Sequence, residues 1–263
     1  MTIEDTQNDD ELALPTVALL RRGANGDMPA GRDLGVAGEF SRLLTPDLAA
    51  SIGSGWRHRG LAGAPRSGWD NLDLGLKYRA VRDDLRELLI STGLFTEISG
   101  TGAQRIGAER FDTIQPVVSF GKGFGDLPRD LDRLRPAAIT GAAGLALPTG
   151  SAAKTLRYGV SLQYSLLYLD KHTGIAVEPW MNSLIPLVEF AAETPVGRSY
   201  GSRTVATASP GIVWISEECQ LTVEALIPLN RRTGRGFGVI AQAHFFLDEL
   251  LPAVFGRPLL DRE

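Results

Sequence analysis

Residues 71–81 of the chain read NLDLGLKYRAV, and every second position in this stretch is apolar. The positions on the apolar side are Leu72, Leu74, Leu76, Tyr78 and Ala80. The intervening positions carry charge or lack a side chain: Asp73, Gly75, Lys77 and Arg79. Because successive side chains of a strand point to opposite faces, a period of two predicts a β-strand with one apolar and one polar face.

The same alternation recurs along the chain, for example in TLRYGVSLQYSL (155–166), QLTVEALIPL (220–229) and GFGVIAQAHFF (236–246). Segments of this type number about twelve, each of roughly 10–14 residues, which is the length of a tilted membrane-spanning strand and exceeds the usual soluble strand. They are 12–21, 33–43, 48–58, 70–82, 86–98, 110–121, 134–147, 155–168, 184–194, 203–215, 219–229 and 235–247. The pattern predicts an all-β fold, an antiparallel up-and-down transmembrane β-barrel of about 12 strands.

A soluble barrel remains an alternative, because a lipocalin-like ligand-binding barrel shows the same alternation with its apolar face turned inward. Sequence period alone cannot orient the faces. The direction in which Leu72, Leu74 and Leu76 point decides between the two structures.

Three regions follow from the pattern: an acidic, disordered leader over residues 1–11, a barrel over 12–247, and a C-terminal tail over 248–263 on the periplasmic side. Pro252, Gly256 and Pro258 oppose a further membrane strand in the tail. The leader lacks the basic and then apolar order of a signal peptide, so the sequence is interpreted as a mature or trimmed chain.

Composition excludes several classes of function. The formal charge of the 263 residues is −4, without the basic clusters that a nucleic-acid-binding surface needs. The single Cys219 and the three dispersed histidines give no metal-ligand spacing, so neither a metal nor a cofactor is expected. GKGFGD (121–126) lacks the spacing of a phosphate loop. The charged run RDLDRLR (129–135) is interpreted as a solvated turn.

Charged and amide side chains on the polar faces are expected to line a lumen. They are Glu39, Arg57, Lys77, Arg79, Glu97, Arg157, Glu189, Glu193, Glu224, Gln242 and His244. Opposite charges in a narrow interior should pair across it, since unpaired buried ions are costly, and this predicts an occluded lumen. A lipid-modifying enzyme using His244 is an alternative, and it would require a nearby serine. The prediction is that the chain has no catalytic residues.

Large aromatic residues lie at or near the ends of the predicted strands: Trp56, Trp69, Tyr168, Trp180 and Trp214. Tryptophan and tyrosine favour the boundary between lipid and water. These residues are therefore expected to lie at the membrane interfaces.

Several stretches together resemble a family of proteobacterial outer-membrane barrel proteins of the transporter type, similar to the phenol meta-pathway barrel group. They are GWDNLDLGLKY (68–78), GTGAQRIGAERFDTIQPVVSFGKGFGDLP (100–128), LRPAAITGAAGLALPT (134–149), LRYGVSLQYSLLYL (156–169), LIPLVEFAAETPV (184–196) and EALIPLNRRTGRGFGVIAQAHFFLDELLPAVFGRPLL (224–260). The resemblance implies a bacterial outer-membrane location and passive transport of small molecules, including hydrophobic or aromatic ones. The implied partners are outer-membrane lipid, the barrel-assembly machinery and a small-molecule solute. The chain departs from the usual pattern by continuing past Phe246.

Overall fold

The computed structural model describes residues 9–22, 30–60, 65–197 and 203–260. Within these ranges the strands are β1 (Glu11–Arg22), β2 (Gly31–Thr45), β3 (Leu48–Gly60), β4 (Arg66–Trp69), β5 (Leu72–Asp83), β6 (Leu88–Ile98), β7 (Thr113–Gly123), β8 (Ala137–Pro148), β9 (Lys154–Tyr164), β10 (Leu184–Val196), β11 (Val205–Ile215), β12 (Cys219–Pro228) and β13 (Phe237–Phe246). The α-helices are α1 (Leu166–Thr173), α2 (Leu247–Leu250) and α3 (Pro252–Phe255). Single 3-10 turns occur at Gln104–Ile106, Arg129–Leu131 and Pro179–Met181.

Twelve of these strands form one closed antiparallel barrel, which confirms the predicted fold class. Each pairs with its neighbours in chain order, and β1 closes the sheet by pairing with both β2 and β13. The short β4 is the exception. It pairs with Trp56–Arg59 of β3, whereas β5 pairs with the preceding part of β3, Leu48–Gly53. Closure leaves no long sheet edge for another chain to pair with.

The apolar faces of the strands point outward. Leu76 is 48% exposed and Val223 50%, although both are mid-strand residues. In a soluble barrel such side chains would fill the interior, whereas a belt of exposed leucine and valine suits hydrocarbon. The outward orientation therefore does not favour the lipocalin-like alternative. In the described part of the chain, no helix has the length and apolarity needed to span a bilayer.

Both described chain ends lie at one end of the barrel, here called the terminal end; the opposite end is called the loop end. Residues 1–8 of the predicted leader lie outside the described residues, but Asp10 and Glu11 are ordered, contrary to the expected disorder. The reason is that buried Asp10 accepts hydrogen bonds from Arg42 Nη1 and the Leu43 backbone N–H, each at 2.6 Å.

The segment that follows β13 folds over the terminal end as α2, α3 and an extended piece. Leu259 and Leu260 donate backbone hydrogen bonds to the carbonyls of Leu43 and Leu44. The guanidinium of Arg42 also donates to carbonyl groups of this segment, at Val254 (3.1 Å) and at Arg257 (2.9 Å). The tail thus forms no membrane strand over its described residues and is held against β2.

The prediction of a strand over 155–168 is too long. β9 ends at Tyr164 because Ser165 caps α1, accepting a hydrogen bond from the backbone N–H of Tyr168. Tyr168 therefore lies in a helix at the terminal end, where its ring stacks on His172 at 4.4 Å between centroids.

Candidate functional site

The barrel encloses a cavity of about 870 Å³ that reaches from strand to strand around most of the wall. We call it the lumen cavity. Its lining is mainly polar, because the inward residues of nearly every strand are polar or small and alternate with outward apolar residues. The lining also includes Gly107, Ala108 and Glu109, which belong to the connection between β6 and β7.

Acidic groups outnumber cations in the lining of the lumen cavity. Nine carboxyl side chains line it: Asp9, Glu11, Glu39, Asp70, Asp73, Glu97, Glu109, Glu189 and Glu224. The cationic side chains are four: Arg57, Arg59, Lys77 and Arg157. The excess of carboxyl groups over cationic side chains gives the lining a negative formal charge.

Most of the residues that the sequence places in a lumen do line this cavity. These are Glu39, Arg57, Lys77, Glu97, Arg157, Glu189, Glu224, Gln242 and His244. Two do not. Arg79 lies at the terminal end, where its Nε is 3.0 Å from Asp47 Oδ1 in the turn between β2 and β3. Glu193 lies near the loop end of β10, with Oε1 3.2 Å from Arg157 Nε on β9.

The ion pairs of Arg57 and Arg157 run along the wall and do not cross the lumen. Arg57 pairs at 2.9 Å with Asp70, which follows the adjacent β4, and Arg157 pairs with its direct cross-strand partner Glu193. Arg157 also donates to Gln115 Oε1 on β7 at 2.8 Å. Neighbouring strands are about 5 Å apart, so pairing along the wall needs no side chain to cross the interior.

The connection between β6 and β7 narrows the loop end of the lumen cavity. Asn71, which is 2% exposed, donates to Glu97 Oε1 at 2.8 Å and to the Glu109 carbonyl at 3.0 Å, and accepts from the Gly102 N–H at 2.9 Å. Ile106, which is fully buried, anchors the same connection against β4 near Gly68. Sequence reasoning does not identify Asn71, because its importance depends on contacts with residues about 30 positions away.

Outside the lumen, Asp112 fixes the base of this connection. The backbone N–H and the hydroxyl of Ser99 both donate to Asp112 Oδ1 at 2.8 Å, and these hydrogen bonds lower the pKa of Asp112 below its usual value. The β6–β7 connection is therefore held both at its exposed base and at its buried tip.

Phe95 points inward but lies flat against the wall. A Cβ at Gly75 would be 2.7 Å from the Phe95 ring, and one at Gly93 would be 2.6 Å from it. Gly75 thus makes room for the ring on the neighbouring β5, and Gly93 makes room for it within its own strand β6. Phe95 is not among the residues that line the lumen cavity.

His244 is hydrogen-bonded through Nδ1 to the carboxylate of Glu11 on the neighbouring strand. Its direct cross-strand partners are Ala13 and Gln220, neither of which is a nucleophile. The position of His244 therefore does not favour the lipid-modifying alternative. Among the described residues there is no group of three or more His, Cys, Asp or Glu side chains arranged to hold a metal ion.

The large aromatic residues are divided between the two ends of the barrel. Trp56 and Trp69 are cross-strand partners in the loop-end half, and Trp69 is 62% exposed. Trp214 and Trp180 lie toward the terminal end, at 40% and 71% exposure, and Tyr168 lies in α1 at the same end. The aromatic residues thus form two groups, one toward each end of the barrel.

Comparison with family models and with characterised proteins gives no match. Among solved structures, the chain is similar to the COG4313 outer membrane channel from Pseudomonas putida F1, with a TM-score of 0.58 and 13% identity over 92% of this chain and 97% of that one. It is also similar to the NanC porin (TM-score 0.54, 10% identity, 88% and 98% covered). The KdgM porin in complex with disordered oligogalacturonate gives a TM-score of 0.54 at 9% identity, with 89% and 98% covered. The chain therefore has the twelve-stranded fold of outer-membrane porins and channels.

Proposed function

We propose that the chain spans the bacterial outer membrane and acts as a passive, non-enzymatic channel for small solutes, with a preference for cations. The observation that supports this function is the excess of carboxylates in the lumen cavity, nine against four cationic side chains. Short turns and the tail would face the periplasm, and the two aromatic groups would lie at the membrane interfaces. The outward belt would contact lipid, and insertion would use the barrel-assembly machinery.

The lining makes this channel a poor fit for polyanions. Oligogalacturonate, with which the KdgM porin was solved, is a chain of acidic sugars. A negative lumen repels such a chain, whereas it raises the local concentration of cations. Narrowing by the β6–β7 connection would further restrict passage to small solutes.

Glu109 offers a test at a defined position. This glutamate lies in the β6–β7 connection, is exposed and lines the lumen cavity. The full chain would be reconstituted in planar bilayers under a KCl gradient and the reversal potential measured. We expect the potential to have the sign of cation selectivity and to shift toward zero in Glu109→Gln. The matched control, Asp84→Asn, changes an exposed turn carboxylate and should leave the potential unchanged. Anion selectivity, or a large, unselective and steady conductance, would refute the proposal.

A further inference from the structure

A second cavity, of about 740 Å³, lies on the outer face of the barrel at its terminal end. One side is formed by the connection between β7 and β8, through Phe124, Leu127, Leu131 and Leu134. The opposite side is formed by the outward faces of β8, β9 and β10. We call this space the side cavity. Its volume falls within the range of roughly 300–1,000 Å³ that is usual for small-molecule sites.

The side cavity is almost wholly apolar. Apart from Gln163 and Tyr164, all the residues that line it are leucine, valine, proline, alanine or phenylalanine. The hydroxyl of Tyr164 is already engaged, since it donates to the Arg133 carbonyl at 2.9 Å. A ligand in this space would therefore meet hydrocarbon surface on nearly every side, and only an apolar ligand gains by entering it.

The barrel wall is interrupted beside this cavity. The ladder between β9 and β10 begins only at the pair Gln163 and Leu187. Between that pair and the terminal end, residues 184–186 of β10 pair with β11 but have no partner on β9. The reason is that the chain turns into α1 after Tyr164. The two neighbouring strands are therefore unpaired at the terminal end, and we call this unpaired interval the gap.

The two residues at this gap, Gln163 and Leu187, line both the side cavity and the lumen cavity. These two residues therefore form the partition between the two spaces. Ile185, in the part of β10 without a β9 partner, also lines the lumen cavity. The apolar surface of the side cavity is continued inward by Leu187 and Ile185.

We propose that the side cavity binds one small apolar molecule, an aliphatic or aromatic hydrocarbon from the bilayer, and that the gap between β9 and β10 joins this site to the lumen. The proposal goes beyond the cation-preferring channel, because it gives the barrel a second, lateral opening for ligands that the charged lumen would not attract. The β7–β8 connection covers the site from outside, and Leu187 separates it from the lumen.

Occupancy is tested with N-phenyl-1-naphthylamine as the probe and the full chain in lipid nanodiscs. In a Cys219→Ser background, a nitroxide is attached at Leu134→Cys in the side cavity or at Leu221→Cys on the lipid face of β12. The two native leucines have similar exposure, 53% and 44%. Probe dissolved in lipid would be quenched equally by both labels. We expect several-fold stronger quenching from position 134, and equal quenching would refute the site.

The connection to the lumen is tested with two tryptophan substitutions on the inner wall. Leu187→Trp fills the partition, whereas Ala37→Trp places the same side chain in the lumen cavity on β2, away from the side cavity. Leu187→Trp should weaken probe binding several-fold, while Ala37→Trp should leave binding unchanged. Both variants should lower potassium conductance, because both residues line the lumen cavity. Equal binding in both variants would refute the connection. Folding is checked by the gel mobility of unheated protein, and conductance through the unsubstituted chain tests the channel separately.

Discussion

Asn71 donates a hydrogen bond to Glu97 across the start of β5 and the end of β6, with 2.8 Å between Nδ2 and Oε1. The same amide group also binds the Glu109 carbonyl and the Gly102 N–H, so one buried side chain joins the wall of the barrel to the connection that enters it. Asn71, which carries no charge, therefore helps to hold the connection that narrows the loop end.

Replacing Asn71 with alanine should widen the loop end and make the conductance larger and less steady. The substitution leaves three polar groups without their partner, at a cost of about 1–3 kcal/mol for a buried group. Single-channel recording in planar bilayers gives the measurement. Ser99→Ala serves as the control, because it removes only an exposed hydrogen bond at the base of the connection. A conductance equal to that of the unsubstituted chain would contradict the role of Asn71.

The outward faces should tolerate charge far less well than the inward faces. Val223→Arg places a cation on the membrane-facing side of β12 and should destabilise the barrel by about 2–4 kcal/mol at mid-membrane depth. Gln242→Arg on the adjacent β13 points into the lumen cavity and should have a much smaller effect. Urea titration of the protein refolded in lipid vesicles compares the two. A larger loss for Gln242→Arg would mean that the faces are reversed.

Alanine at Gly93 should displace the ring of Phe95. Overpacking of this kind costs about 1–3 kcal/mol, because the added Cβ would lie 2.6 Å from the ring. The cost should largely disappear when Phe95→Ala is also present. A double-mutant cycle of unfolding free energies measures this coupling, and additive effects would show that the ring does not depend on the glycine.

Loss of the Asp10 carboxylate should destabilise the terminal end. Asp10→Ala removes hydrogen bonds from Arg42 and from the Leu43 N–H, and we expect about 1–3 kcal/mol of lost stability. Asp84→Ala is the comparison, because the Arg82–Asp84 pair is 59% and 75% exposed and surface pairs contribute roughly 0–1 kcal/mol. Equal losses in the two variants would contradict a structural role for Asp10.

The alternation in 71–81 predicts both the strand and the composition of its two faces, because a period of two depends only on neighbouring residues. It cannot predict that Leu76 points outward, since an inverted barrel has the same pattern. It also places Arg79 and Glu193 in the lumen, because periodicity gives the face of a residue and not its depth along the barrel axis.

Features that depend on distant contacts escape the sequence pattern. The charges of the run 129–135 indicate a solvated turn, yet Leu131 and Leu134 within it line the side cavity. The gap below Gln163 and Leu187 depends on where β9 ends, and the alternation in the sequence continues past that point. The polar composition of the leader predicts disorder at Asp10. The pattern cannot show that Asp10 binds Arg42, because Arg42 is distant in sequence.

The contact of residues 247–260 with β2 bears on the order in which the molecule can assemble. This segment leaves β13, passes the β13–β1 seam and hydrogen-bonds to Leu43 and Leu44. It is made after every strand of the barrel, so Arg42 meets all of its partners only when synthesis has passed β13. Pairing of β1 with β2 does not require this segment, but the terminal end reaches its native form only after the whole barrel sequence is available.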